Sequence, residues 1–141
     1  MKCFLLMKWL YLKKVPVIPD FIKIYIRIVF SCDIPYTVEI GKDVVFWHNG
    51  LGVVIRKNAK IGSGTSIYQH VTIGGRNRPG APVIGNNVFI GPGACILGKI
   101  HIGDGASIGP NAVVIHDVPA NSLVFSPLAT VKKKEIATEN A

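Results

Sequence analysis

The chain of 141 residues is long enough for one domain with a hydrophobic core, but not for two. Its composition is 49% apolar and 17% charged, with 15 glycines and 9 prolines, which excludes both a disordered chain and a helical bundle. The formal charge of +8 favours an anionic partner. No RNA- or DNA-reading motif is present, so we expect a membrane surface or a phosphorylated cofactor rather than nucleic acid.

Residues 1–32 predict an apolar and basic helical segment. Lys8 interrupts the first apolar run and no small-residue cleavage site follows, which argues against a signal peptide. The run is also too short to span a bilayer. We expect an amphipathic helix that is closed by Pro16 and Pro19 and lies on the rest of the domain or on a membrane. The next stretch, FIKIYIRIVF, is ambiguous in its periodicity, and we favour a helix.

A six-residue period runs through residues 34–119 and dominates the predicted domain, residues 33–131. A bulky aliphatic or aromatic side chain marks each repeat, usually followed by glycine, with a small residue such as Ala94, Ala106 or Ala112 four positions later. A period of six indicates three short strands per coil, with the marked side chains pointing to the axis. The marked positions are Ile34, Ile40 and Phe46; Ile55, Ile61, Ile67 and Ile73; and Ile84, Ile90, Ile96, Ile102, Ile108 and Val114.

This pattern resembles the hexapeptide-repeat, left-handed parallel β-helix. The resemblance implies an all-β solenoid of about four to five coils, behind a short helical N-terminal segment. Residues 132–141 are predicted to form a basic C-terminal tail.

The period breaks at two places, and each break predicts a loop. Phe46 and Ile55 are nine residues apart around WHNGLG, and Ile73 and Ile84 are eleven apart around GGRNRPGAP. Loops that leave a rigid solenoid commonly carry function, although a corner that tolerates insertion would look the same. Tryptophan and histidine are poor choices for a merely permissive turn, which favours function for the first loop.

His48, in the first loop, is the natural candidate for a general base because the unperturbed pKa of histidine lies near neutrality. Asp33 precedes it by fifteen residues, almost one full coil of eighteen, so the two side chains are expected at neighbouring levels. A carboxylate–imidazole contact would fix the tautomer of His48 and stabilise its protonated form.

A more specific resemblance covers about residues 30–131. The stretches that carry it are CDIPYTVEIGKDVVFWHNGLGVVI, SIYQHVTIGG and VFIGPGACILGKIHIGDGASIGPNAVVIHDVP. They are similar to the serine acetyltransferase branch of the hexapeptide acyltransferases. The resemblance implies an enzyme that uses acetyl-CoA, with His48 as the base, Asp33 as its orienting partner, and a backbone N–H near Gly74–Gly75 on the thioester oxygen.

The same resemblance implies a homotrimer that binds acetyl-CoA in the groove between two neighbouring prisms. The positions that correspond to the donor site, together with the nearby cations that suit its phosphates, are Gly75, Arg76, Arg78, Pro92, Pro110, His116 and Lys132. Lys133 and Lys134 are equally well explained as a solvated tail.

The chain departs from serine acetyltransferases in three respects. Ala81 stands where a second histidine is expected, the large N-terminal helical domain is not seen, and the chain ends in TENA. We therefore expect the acceptor to be a sugar hydroxyl of a surface polysaccharide or its precursor, ahead of serine, and an apolar, basic segment 1–30 could work near a membrane. A non-catalytic β-helix that serves as an assembly module is the alternative outside catalysis.

The remaining histidines and cysteines do not predict a metal site. His70, His101 and His116 lack the close HxxxxH pair of the zinc anhydrases that share this fold. The odd count of three cysteines, Cys3, Cys32 and Cys95, fits a reducing cytoplasm, at the inner face of the membrane if residues 1–30 bind there. His70 and His101 are expected on the surface, and Cys95 in the core.

Overall fold

The computed structural model describes residues 2–15, 17–77 and 79–130. Within them, two helices, α1 (Lys2–Leu12) and α2 (Ile18–Phe30), precede a series of short strands. The helix favoured for FIKIYIRIVF is confirmed. Pro19 was expected to close the first helix but instead lies in the first turn of α2. A proline is tolerated there because the N–H groups of the first turn have no partner within the helix.

The strands of the described chain form three parallel sheets, which are the three faces of a prism. The first sheet contains β1 (Glu39–Ile40), β4 (Lys60–Ile61), β7 (Val83–Ile84) and β10 (His101–Ile102). The second contains β2 (Val45–Phe46), β5 (Ser66–Ile67), β8 (Phe89–Ile90), β11 (Ser107–Ile108) and β13 (Leu123–Val124). The third contains β3 (Val54–Ile55), β6 (Thr72–Gly74), β9 (Cys95–Leu97) and β12 (Val113–Val114).

The register of these sheets confirms the six-residue interpretation. Ile61 pairs with Ile84, Ile67 with Ile90 and Ile73 with Ile96, so each inward aliphatic stacks on the equivalent one of the next coil. The result is the predicted all-β solenoid of parallel strands, with about four turns, at the lower end of the expected range.

The core is the column of inward side chains that the period predicts. Most of the marked positions are buried, and Ala94, Ala106 and Ala112 fill the space between them as expected. Thr65 takes the small-residue position in its coil, and its hydroxyl donates to the carbonyl of Gly85 at 3.0 Å. This bond satisfies the one buried polar side chain of the described core.

Cys95 does not lie in the core as predicted. It is only half-buried and points outward from β9, because the next residue, Ile96, takes the inward position of that strand. Cys32 is buried, and its burial raises the pKa of the thiol.

The two helices cover the N-terminal end of the β-helix. Met7 of α1 and Ile26 of α2 are buried in the same cluster as the first coil, and Lys8 Nζ donates to the carbonyl of Val38 at 2.8 Å. The first helix is not amphipathic as expected, because α1 is apolar around most of its circumference; in α2 the polar residues are confined to one strip of the surface. Among the described residues, neither helix is long and apolar enough to cross a membrane.

A polar edge runs along the corner between the first and second sheets. Three side chains on it accept a hydrogen bond from a backbone N–H of the coil below: Ser63 Oγ from Lys42 at 3.1 Å, Asn86 Oδ1 from Ser63 at 2.9 Å, and Asp104 Oδ1 from Asn86 at 2.7 Å. These bonds tie successive coils together where the strands are too short to do so alone.

The last of these bonds makes a prediction about acid stability. The hydrogen bond from the Asn86 backbone lowers the pKa of Asp104, so its stabilising effect is present at neutral pH and is lost as the pH falls below about 4. Asp104→Asn keeps an oxygen acceptor that cannot be protonated in this range. We therefore expect its thermal midpoint to fall less between pH 6 and pH 3 than that of the unaltered chain.

The control for this prediction is Asp43→Asn. Asp43 lies on the same edge, is exposed, and has no side-chain hydrogen bond within the described part of the chain. It should show the full acid-induced fall in thermal midpoint. An equal fall in the Asp104→Asn variant would contradict the role given to the Asp104 carboxylate.

Candidate active site

His48 lies in a short kinked turn, Trp47–Gly50, that leaves the prism between β2 and β3. Three successive residues there have left-handed backbone: His48 at φ 51°, Asn49 at φ 57° and Gly50 at φ 75°. Single residues in this conformation recur at other corners of the prism, as at Asn87, so the run of three is what distinguishes this turn. The turn holds the imidazole on the surface of a rigid scaffold.

An aromatic patch lies beside His48. Tyr68 follows β5 as Trp47 follows β2, so the two rings meet across adjacent coils and stack at 5.4 Å. The ring of Tyr68 is 6.5 Å from that of His48 and 5.2 Å from that of Phe89. The sequence analysis missed Tyr68, although its signal was visible: a tyrosine stands where glycine usually follows the inward aliphatic.

Gln69 adds a polar group at the same corner of the prism. Its Oε1 is buried and has no hydrogen-bond partner among the described residues. A buried acceptor without a partner is costly to the stability of the fold.

Asp33 is positioned one coil below β3. Its backbone N–H donates to Val53 and its carbonyl accepts from Ile55, in a parallel bridge to Val54. This pairing places Asp33 next to the strand that follows the His48 loop, at the neighbouring level that the spacing predicted.

The Asp33 carboxylate contacts helix α2 and makes no ion pair with His48 in the described chain. Its oxygens lie 3.8 Å from Lys23 Nζ and 3.9 Å from an Arg27 guanidinium nitrogen. Two cations on one helix face draw the carboxylate toward α2, and this accounts for the difference from the expected carboxylate–imidazole contact. Oδ1 remains buried without a hydrogen bond.

A cavity of about 580 Å³ lies at the end of the third sheet away from His48. It brings together Arg76 and His116, two of the predicted donor-site residues, and adds Lys99, which the sequence analysis missed. Leu97 and Ile115 are among its apolar lining residues. The cavity therefore combines cations with an apolar wall.

The other predicted donor positions are distributed differently. Gly75 is half-buried, and the guanidinium of Arg56 lies directly against it, which adds a cation near the start of the second loop. Pro92 and Pro110 lie on successive coils at the corner that also carries Trp47 and Tyr68, away from the cavity. The structure thus separates the predicted positions into two groups.

Two predicted donor residues, Arg78 and Lys132, lie outside the described residues. Ala81, where a second histidine was expected, is half-buried and packs against the core. His70 and His101 are exposed, as predicted. Among the described residues, no three histidine, cysteine, aspartate or glutamate side chains are grouped so as to hold a metal ion.

Comparisons with known proteins agree with the fold and the repeat. Residues 81–116 match the family described as bacterial transferase hexapeptide (six repeats). A serine acetyltransferase of Synechococcus elongatus is 37% identical over 125 residues, which are 86% of this chain and 51% of that protein.

Two solved structures are similar over most of this chain. The serine acetyltransferase of Neisseria gonorrhoeae, in complex with serine, gives a TM-score of 0.79 at 34% identity over 86% of this chain and 50% of the other. A serine acetyltransferase in complex with CoA gives 0.78 at 30% identity over 88% and 51%. The chain spans about half the length of these relatives.

The coils, the repeat and the family match define a hexapeptide-repeat transferase, and the chain belongs to that family. Within it, the chain is of the serine acetyltransferase-like branch, which confirms the resemblance found in the sequence.

Proposed function

We propose that the chain is an acetyl-CoA-dependent O-acetyltransferase in which His48 is the general base. The observation that carries the proposal is the exposed imidazole of His48, held in a left-handed turn on a rigid prism. The similarity to serine acetyltransferases, including one in complex with CoA, supports it.

The chemistry assigned to His48 is a direct transfer. A ring nitrogen takes the proton of the acceptor hydroxyl as its oxygen forms a bond to the thioester carbonyl carbon. The carbon–sulfur bond then breaks, and the thiolate leaves with the proton that His48 has held. A backbone N–H near Gly75 would stabilise the oxyanion between these steps.

The cavity beside the third sheet fits the donor. Acetyl-CoA carries several phosphate charges and an uncharged arm, and supplies the acetyl group as a thioester. Arg76, Lys99 and His116 would hold the phosphates, and Leu97 and Ile115 would line the uncharged part. Pro92 and Pro110 lie away from this cavity, at the corner that leads to His48, so they would contact a donor that is bound between this prism and a neighbouring copy.

The relatives favour L-serine as the acceptor, which reverses the order expected from the sequence. The relatives described above are named serine acetyltransferases, and one is solved in complex with serine. The sugar acceptor remains the second candidate because of Ala81 and because the Trp47–Tyr68–Phe89 patch offers flat apolar rings to the C–H face of a sugar.

The homotrimer is also part of the proposal. The outward residues of the first sheet include the charged pair Glu39 and Lys60, joined at 3.0 Å, as on a face in water. The second and third sheets instead present outward Val45, Phe89, Val54 and Val113, which suit contact with neighbouring prisms.

The acceptor can be tested by release of free thiol from acetyl-CoA against a panel of L-serine, nucleotide sugars and oligosaccharides. We expect turnover with L-serine well above the rate without acceptor. Turnover with a sugar alone would establish the second candidate. Tight binding of acetyl-CoA with no release above background for any acceptor would contradict catalysis and favour the assembly module.

A further inference from the structure

Helix α2 is apolar on two opposite sides. The inner side packs on the β-helix through Pro19 and Ile26, which are buried, and through Ile22 and Phe30. Helices that cover a soluble domain normally turn polar residues toward water on the other side.

The outer side of α2 is instead an apolar stripe. Phe21, Ile24, Tyr25 and Ile28 follow the i, i+3, i+4, i+7 spacing of one helix face, and Phe21 and Ile28 are 67% and 75% exposed. We call these four residues the outer stripe.

The basic residues of α2 do not cover the outer stripe. Lys23 and Arg27 lie to one side of it, within 4 Å of the Asp33 carboxylate of the β-helix. The burial of Pro19 and Ile26 against the prism sets the rotation of α2, so the outer stripe faces away from it.

Helix α1 extends the exposed apolar surface. Leu6, Trp9 and Leu12 are all more than half exposed, whereas Met7 on the opposite side is fully buried. Exposed apolar residues clustered on this scale mark a site of association.

The charge of residues 1–30 indicates the kind of partner that this surface binds. Residues 1–30 contain six basic residues and one acidic residue, and Lys13 and Lys14, just beyond α1, are exposed. Aromatic and aliphatic side chains flanked by lysines are typical of helices that lie in the interface of an anionic membrane. A second copy would bring a like-charged surface, which disfavours self-association through the same face.

We propose that α1 and α2 bind an anionic lipid membrane, with the outer stripe, Trp9 and Leu12 inserted among the lipids and Lys13 and Lys14 at the headgroups. The 13 residues of α2 extend about 20 Å, less than the ~30 Å of a hydrocarbon core, so the helix would lie along the surface. The β-helix would then project from the membrane, with its first coil nearest to the lipids.

Co-sedimentation with vesicles tests this proposal. We expect the full chain to bind vesicles of phosphatidylglycerol and phosphatidylcholine, and to bind pure phosphatidylcholine at least tenfold more weakly. Phe21→Ser with Ile28→Ser should weaken binding to the anionic vesicles by at least tenfold, and Lys13→Glu with Lys14→Glu should remove the preference for them. Leu123→Ser with Phe125→Ser is the matched control, because these residues are equally exposed at the far end of the β-helix.

Two results would overturn the proposal. One is equal vesicle binding by the chain, the outer-stripe variant and the control. The other is a fall in mass of the outer-stripe variant in analytical ultracentrifugation without vesicles, which would make this face a contact between copies. Neither result depends on acetyl transfer, so the proposal and the proposed function fail separately.

Discussion

Replacing His48 with asparagine is expected to lower kcat for acetyl transfer by about 100- to 10,000-fold, the usual contribution of a positioned general base. Asparagine is the appropriate replacement because it tolerates the left-handed backbone that His48 adopts at φ 51°, so the turn should persist. The affinity for acetyl-CoA should be unchanged, because the cations assigned to the donor lie at the other end of the third sheet. Steady-state kinetics with a direct binding measurement separates the two effects.

His101→Asn is the matched control for this prediction. His101 is exposed on the first sheet. Its backbone N–H donates to Asp117 Oδ1 at 2.8 Å and its carbonyl accepts from Val118 at 2.9 Å, whereas its side chain forms no hydrogen bond within the described residues. Its replacement should leave kcat within a factor of two of the unaltered chain. Full activity in the His48→Asn variant would remove His48 from the chemistry and contradict its role as general base.

The fold could be predicted because every coil has the same packing requirement. A narrow prism has one large inward position per strand, so Ile61, Ile84 and Ile102 must recur at equivalent places and stack in register. The two breaks in that period located the loops for the same reason, since any extra residue in a fixed coil has to leave the prism. The core position expected for Cys95 was wrong, and the period itself gives the reason: Ile96 takes the inward position of that strand.

The site was predicted only in part, because the six-residue period carries no information on side-chain contacts between separate elements. The spacing placed Asp33 at the correct level, but the cations that hold its carboxylate belong to α2, whose rotation depends on packing. Likewise, Lys99 joins Arg76 and His116 only once the third sheet is stacked. Residue types and the local period predicted the candidate site residues, whereas the side chains that contact them depend on tertiary packing.

The second large effect is expected from Ile84→Ala, which should lower the free energy of unfolding by about 3 kcal/mol. Ile84 is 2% exposed and begins the coil that re-enters the prism after the second loop, between Ile61 below and Ile102 above. Alanine would leave a void in the inward column that the short strands on either side cannot close. Urea unfolding at one fixed protein concentration measures the change and avoids a shift from any change in assembly.

Val83→Ala is the control on the same strand, because Val83 points outward between Lys60 and His101 and is 37% exposed. Its cost should stay below about 0.5 kcal/mol, since the side chain lies on the face with the charged residues and water already reaches it. If both variants lost the same stability, the inward column would not be what holds the coils together. The backbone hydrogen bonds between strands and the polar edge through Ser63, Asn86 and Asp104 would then have to carry that role, because they also join each coil to the next.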